Sequence, residues 1–303
     1  MAFTAGNVPD QNGRTFLVTG ANTGIGLEVA KALAAKGARV LMGCRDSGKA
    51  HAAMDHIKTA VPGANLAYVP LDQADLSSVR HAAEQVIAEP RLDVLVNNAG
   101  IMIPPLARTA QGAESQFGVN HLGTFALTSL LLPKLAQTDG ARVVVTSSLA
   151  HRQGRMMWDN LHAEHGYNSG RFYGQSKLAN LLFVLELDRR LRAAGSPVRA
   201  IGCHPGVALT ELMRHLPSWT QPLLPVMRPL FNPVVAAAWP ALQAATDPNA
   251  EGGGYYGPQG GWEMRGASGP ARVEKHCHDL EDARRLWDIS IELTGVDQGL
   301  APA

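Results

Sequence analysis

The sequence predicts an α/β protein built on a single doubly wound parallel sheet with helices on both faces. Three observations carry that expectation. Short runs rich in Val, Leu and Ile recur at residues 15–19, 39–44, 66–71, 94–97, 142–147 and 198–203, each nearly all apolar, as a strand buried on both faces requires. The stretches between them, such as 26–36, 76–88 and 176–194, are longer and repeat their apolar residues at helical steps. Strand and helix alternate in that order with no internal repeat, low-complexity tract or long linker, so one domain over residues 1–303 is the simplest organisation.

Composition narrows the classes. At 46% hydrophobic and 17% charged, the chain is too apolar to be disordered. Its 27 Lys+Arg against 26 Asp+Glu leave no basic field with which to grip nucleic acid. A chain of 303 residues can remove roughly 75% of its unfolded surface from water, so its core needs no disulfide or structural metal. Cys44, Cys203 and Cys277 are scattered and odd in number, which fits a reducing compartment. Residues 1–13 lack the basic start and apolar stretch of a targeting signal. The most apolar segment, 217–245, is interrupted by Pro222, Pro225, Pro229, Pro233 and Pro240 and by Arg228 and Asn232. A continuous helix of about 20 residues cannot form there. We therefore expect no membrane span and a cytoplasmic protein.

The first strand leads into Thr19-Gly20-Ala21-Asn22-Thr23-Gly24-Ile25-Gly26 and then a helical pattern. Gly20 permits a tight turn, Gly24 lets backbone approach a pyrophosphate, and Gly26 lets helix and strand pack closely. The unpaired N–H groups at that helix start would face the phosphates. An ordinary glycine turn is the rival reading, weakened by the position of this one in the first strand-to-helix turn. The second strand ends in Gly43-Cys44-Arg45-Asp46, with a neutral residue where an acid would bind a ribose 2′-hydroxyl and Arg45 beside it. A guanidinium holds a phosphate with two hydrogen bonds, so NADP(H) is expected in preference to NAD(H). Asp46 could accept from the hydroxyl or cap the next helix.

Tyr173-Gly174-Gln175-Ser176-Lys177 places a phenol and an ammonium on one helix face. A free tyrosine has a pKa near 10; a neighbouring ammonium is expected to lower it and so make Tyr173 a proton relay. Alone this spacing is weak evidence, because Tyr and Lys share a helix face often by chance.

Several separated motifs agree, however, and together they resemble the short-chain dehydrogenase/reductase family: Thr19–Gly26, Asn97-Asn98-Ala99-Gly100, a serine ending the fifth strand, Tyr173 to Lys177, and Pro205-Gly206 with Thr210, in the family's order. Ser147-Ser148-Leu149-Ala150-His151, Ser176-Lys177-Leu178-Ala179-Asn180 and His204-Pro205-Gly206-Val207 look like the retinol dehydrogenase-like branch. The resemblance implies a Rossmann fold and an alcohol/carbonyl oxidoreductase working by hydride transfer. It implies a catalytic set of Asn120, Ser148, Tyr173 and Lys177, with Ser148 on the substrate oxygen, Tyr173 as acid/base, Lys177 on the nicotinamide ribose and Asn120 holding a water on the proton path. Ser147 is the alternative serine. The cofactor would be held by Gly20, Asn22, Thr23, Gly24, Ile25, Gly26 and Arg45, by Asp72 at the adenine amine, and by Asn98, Ala99 and Gly100 at the adenosine ribose. Tyr173, Lys177, Pro205, Gly206, Val207 and Thr210 would hold the nicotinamide half. A homodimer or homotetramer is the family default, and the substrate is expected to be apolar. The branch also contains relatives of protochlorophyllide reductase, so C=C (enone) reduction is one alternative; a non-catalytic NADP-binding regulator is another.

Three segments break the rhythm. Between Ser148 and Tyr173 lie 24 residues, roughly twice the spacing of shorter family members. This insertion at 150–171 carries Arg155, Met156, Met157 and Trp158 and is expected to fold beside the substrate cleft and to interfere with subunit pairing. Residues 205–240 read as a substrate loop or lid, and the glycine-rich 252–270 as a further cleft wall. His276-Cys277-His278 reads as an ordinary C-terminal segment rather than a zinc site. His162 and His165 read as solvated on one helix face, and His204 as structural.

Overall fold

A computed structural model describes residues 2–208 and 231–302. One eight-stranded sheet runs in the order β3-β2-β1-β4-β5-β6-β7-β8. The six apolar runs form β1 (Thr15–Thr19), β2 (Arg39–Cys44), β3 (Asn65–Pro70), β4 (Val94–Asn97), β5 (Arg142–Thr146) and β6 (Arg199–Cys203). All six are parallel in register, with Val18 beside both Met42 and Val96.

The glycine-rich stretch at 252–270 corrects the expectation of a cleft wall. It supplies β7 (Tyr255–Gly260), parallel to β6, and β8 (Arg265–Pro270), antiparallel to β7. Its Gly and Pro content is poor strand composition, and β8 tolerates it because it lies at the sheet edge. Backbone pairing of Gly202 and Cys203 with Tyr255 and Tyr256 recruits the segment into the sheet.

The principal helices are α1 (Gly24–Ala34), α2 (Ser47–Ala60), α3 (Leu76–Ile87), α4 (Gly123–Leu135), α5 (Ser169–Ala193), α6 (Trp239–Thr246) and α7 (Leu280–Thr294). They cover both faces and make two cores. On one face α1, α2 and α6 pack Val29, Leu33, Ile57 and Leu242 against Val18, Val40 and Val96. On the other, α3, α4, α5 and α7 pack Val79, Phe125, Phe183 and Trp287 against Leu17, Leu95 and Val143. α5 begins well before residue 176, because the Asn168 side chain accepts from Arg171 N and caps it there. Residues 234–240, counted with the expected lid, lead into and begin α6; Ala236, Ala237 and Ala238 are buried, Ala238 in the first core.

Chain order reverses between β1 and β4, so the crevice for a ligand opens at the carboxyl ends of these strands. Among the described residues no helix is long and apolar enough to cross a membrane.

Candidate active site

One side of the crevice is built from backbone. Gly20 has φ +67, and its N–H donates to Gly43 O at 2.8 Å. A Cβ on Gly26 would stand 2.3 Å from Gly20 O and 2.6 Å from Asn98 Nδ2, so no other residue fits this contact of helix, turn and loop. Thr19 Oγ1 accepts from the N–H groups of Asn98 and Ala99, both at 3.0 Å, and Thr19 O accepts from Asn98 Nδ2. Thr19 was not among the expected site residues; its place before Gly20 was the only sequence signal. The buried Cys44 thiol, raised to about 11 by desolvation, accepts from the N–H groups of Ala21 and Asn22 and ties the turn to β2. Thr23, at the N-cap of α1, makes no side-chain cap bond, so the first N–H groups of the helix remain available to an anion.

A cleft of about 500 Å³ runs along this wall. Gly20, Asn22, Thr23, Gly24, Ile25, Gly26, Arg45, Asn98, Ala99, Gly100, Tyr173, Lys177 and Pro205, all expected, line it together with Ile101, Met102, Pro104, Thr146 and Ser147. Arg45 stands at one end, 76% exposed, its Nη1 3.9 Å from Asp72 Oδ2. Asp46 takes its capping role, accepting from Lys49 N. Asp72 is not a lining residue; its Oδ1 accepts from Ala74 N.

The other side depends on side chains. Ser147 and Ser148 part company here: Ser147 Oγ donates to Lys177 O at 2.7 Å, whereas Ser148 caps a short 3-10 turn and hydrogen-bonds Tyr173. Lys177 Nζ lies 5.8 Å from the Tyr173 ring centre and donates to Thr146 O at 3.2 Å. The expected fall in the Tyr173 pKa does not occur in this cleft. Desolvation raises it, with the Ser148 hydrogen bond acting against that rise. Desolvation likewise drives Lys177 down to about 8. Removal from water penalises both charged forms, and their separation returns too little to reverse either shift.

Asn120 sits in a π-helical turn, Gly118–Leu122, ahead of α4. Its Oδ1 accepts from Ile101 N at 2.8 Å, and its Nδ2 donates to Ile101 O and Ser176 Oγ. The amide protons are thus spent on the loop bordering the cleft, and a water would have to use the remaining lone pair or a carbonyl freed by the π-turn. Gly206 and Val207 stand beside Pro205 without lining the cleft; Thr210 and the centre of the expected lid lie outside the described residues.

The 150–171 insertion does not line the cleft. Trp158 Nε1 donates to Asp282 Oδ1 at 2.9 Å, with the Arg285 guanidinium 4.5 Å from its ring centre, both partners being on α7. The insertion covers the back of α5, where a Cβ on Gly154 would be 2.5 Å from Gly174 O. His162 and His165 lie in turns rather than on a helix, since Ala163 and Gly166 take φ of +63 and +100. Cys277 is buried in a 3-10 turn, and among the described residues no cluster of His, Cys, Asp or Glu has metal-binding geometry.

The sequence model described as short chain dehydrogenase matches residues 14–221, more than half of the chain. The chain belongs to the short-chain dehydrogenase family. It is accordingly an oxidoreductase of alcohols and carbonyls. Mouse retinol dehydrogenase 12 is 40% identical, covering 97% of this chain and 92% of its own. Human retinol dehydrogenase 11 is 41% identical, covering 94% and 86%. A solved structure of a protein from Mycobacterium paratuberculosis has a TM-score of 0.83 at 40% identity, over 99% of this chain and 100% of that one.

Proposed function

We propose that this short-chain dehydrogenase uses NADP(H) to interconvert an apolar alcohol with its aldehyde or ketone, with Tyr173 as general acid/base. The observation that carries the reading is that Tyr173 and Lys177 line the cleft on the wall opposite the glycine turn, with Ser148, just outside the lining, hydrogen-bonded to Tyr173.

The residues present fit a phosphorylated dinucleotide. Gly20 to Gly26 offer backbone N–H groups at an uncapped helix start, and Arg45 offers an exposed guanidinium at the end of β2, where it would meet a 2′-phosphate. Asn98, Ala99 and Gly100 would hold the adenosine ribose, and Asp72, beside Arg45, the adenine amine; Pro205, with Gly206, Val207 and Thr210 following it in the chain, would hold the carboxamide. Bound there, the nicotinamide supplies a hydride to the substrate carbon or takes one from it.

Tyr173, kept as a neutral phenol by desolvation, gives its proton to the carbonyl oxygen in reduction. Ser148 would turn its single proton from Tyr173 to the same substrate oxygen, its Oγ being held meanwhile by the Ala150 N–H at 3.2 Å. Lys177 has one ammonium proton on Thr146 O, leaving two for the ribose hydroxyls, and its charge stabilises the phenolate as the proton departs. Ile101, Met102 and Pro104 give the cleft an apolar wall, in keeping with relatives named for retinol.

A panel of aromatic, aliphatic and steroid-like ketones and long-chain aldehydes, followed by nicotinamide absorbance, tests the reading. Turnover with a lower KM for NADPH than for NADH is expected. Silence across the panel with tight cofactor binding would show a regulator, and enone reduction without ketone reduction a C=C reductase.

A further inference from the structure

Behind the cleft, a carboxylate from the far end of the chain meets both the turn that Ser148 caps and the residue that leads into the Pro205–Gly206 turn. The turn between β7 and β8 places Gly261, Trp262 and Glu263 in succession at φ +55, +56 and +67. For Trp and Glu this left-handed backbone is strained, because Cβ crowds the following carbonyl oxygen. Its consequence is to fold the Glu263 side chain back under the hairpin while Trp262 points to solvent, 87% exposed. Glu263 Oε2 accepts from Arg152 Nη2 at 2.6 Å and from His204 Nε2 at 3.0 Å, and Oε1 accepts from Arg272 N at 3.0 Å.

The two side chains gripped by Oε2 have functional neighbours. Arg152 ends the 3-10 turn that Ser148 caps, and His151 in the same turn bonds Ser148 O through Nδ1 at 2.6 Å. His204 directly precedes Pro205 and Gly206. Its ring is fully buried and lies against Gly257, where a Cβ would come within 2.0 Å of Nε2. Gly206 N donates to His204 Nδ1 at 3.2 Å. A backbone N–H cannot accept, so Nδ1 is unprotonated and the ring proton sits on Nε2, directed at Glu263. The neutral imidazole therefore links the carboxylate to the backbone of the Pro205–Gly206 turn. The hairpin holds the same turn a second time, through Val207 N donating to Met264 O at 2.9 Å, and Gly206 permits that approach because a Cβ there would lie 2.2 Å from Met264 O.

We propose that Glu263 is a positioning residue that sets the Ser148 loop and the Pro205–Val207 turn at a fixed separation, so that the nicotinamide ring and the substrate oxygen meet in register. This rests on the oxidoreductase reading above. It assigns a role in the nicotinamide half of the site to a residue remote in sequence from every motif. Loss of the carboxylate leaves Arg152 only its longer contact with Glu274 Oε1, at 3.8 Å, and leaves the His204 Nε2–H without its acceptor, so both loops relax together while the glycine turn, on the opposite wall, is untouched.

The test compares two ligands on the purified full chain: NADPH, and ADP-ribose carrying the 2′-phosphate but no nicotinamide. In the wild type NADPH binds more tightly, because the turn holds the nicotinamide half. In Glu263→Ala this preference falls by about tenfold, while the affinity for the nicotinamide-free ligand stays within about twofold. Glu263→Gln keeps the size and an acceptor for His204 but not the charge for Arg152, and it should fall between the two; it also serves if the alanine variant fails to fold. Turnover declines in parallel, chiefly in kcat. The proposal is overturned if a folded variant keeps the wild-type preference, if both ligands weaken equally, or if the wild type does not distinguish them. A wild type that binds and discriminates but turns over no carbonyl would sink the oxidoreductase reading instead, leaving the binding comparison to decide the role of Glu263.

Discussion

The two walls of the cleft are made in different ways. The wall at Thr19–Gly26 draws its groups from a short run of chain, nearly all backbone, and its shape follows from glycines whose Cβ positions are already filled. The opposite wall joins Ser147, Tyr173, Lys177 and Pro205, with Ser148 hydrogen-bonded to Tyr173 and Arg152, His204 and Glu263 behind them, and these meet only because β5, β6, α5 and the β7–β8 turn are packed together. The first wall binds with fixed N–H donors, whereas the second has to hold mobile side chains and desolvated charges in place. Damage to the first should therefore appear as lost affinity, and damage to the second as lost turnover.

The sharpest break in that contrast is Tyr173→Phe, which should lower turnover by about 10³-fold or more with the cofactor dissociation constant changed by less than about twofold; stopped-flow reduction and fluorescence titration measure the two. Next comes the serine pair. Ser148→Ala should cost about 10²-fold in kcat, whereas Ser147→Ala, whose hydroxyl holds the Lys177 carbonyl, should cost far less; equal losses would refute the division seen in the structure.

Acid should weaken the second wall's support. Burial holds His121 down to about 3 and His151 down to about 4, so below pH 6.5 the unfolded chain takes up protons that the folded chain does not. Stability is therefore full above pH 6.5 and falls as pH drops toward 4, with His121 alone contributing about 2 kcal/mol of loss between pH 7 and 5. Urea midpoints across that window check the sign.

Trp158→Ala, in the insertion behind α5, should lower stability by about 2 kcal/mol and leave kcat/KM within about twofold, separating support from lining. The smallest effect expected is on the first wall: Arg45→Ala should raise the NADPH KM about tenfold and leave that for NADH unchanged. Equal KM changes for the two cofactors would remove the 2′-phosphate from Arg45.

How far the sequence could be read follows the same division. The inner strands were visible because parallel strands covered on both faces must be apolar runs, and β1, β2 and β4 match them residue for residue. β7 and β8 were hidden because backbone pairing with β6, rather than side-chain pattern, makes them strands. The glycine turn was legible through residues that no other type could replace. Trp158, by contrast, looked like a cleft residue because sequence spacing says nothing about which face of α5 an insertion will cover. Glu263 carried no signal, since it lies in a glycine-rich stretch and reaches Arg152 and His204 only across the fold.

The amino-acid order by itself determined the alternation of strand and helix, the crevice at the first glycine turn and the Tyr–Lys pair on one helix face, because each follows from local sterics or helical period. The packed fold decided which serine faces Tyr173, which way the Tyr173 and Lys177 pKa values move, and how the hairpin turn grips the wall behind them. Those outcomes depend on desolvation and on contacts between distant segments, and neither exists until the chain has closed around them.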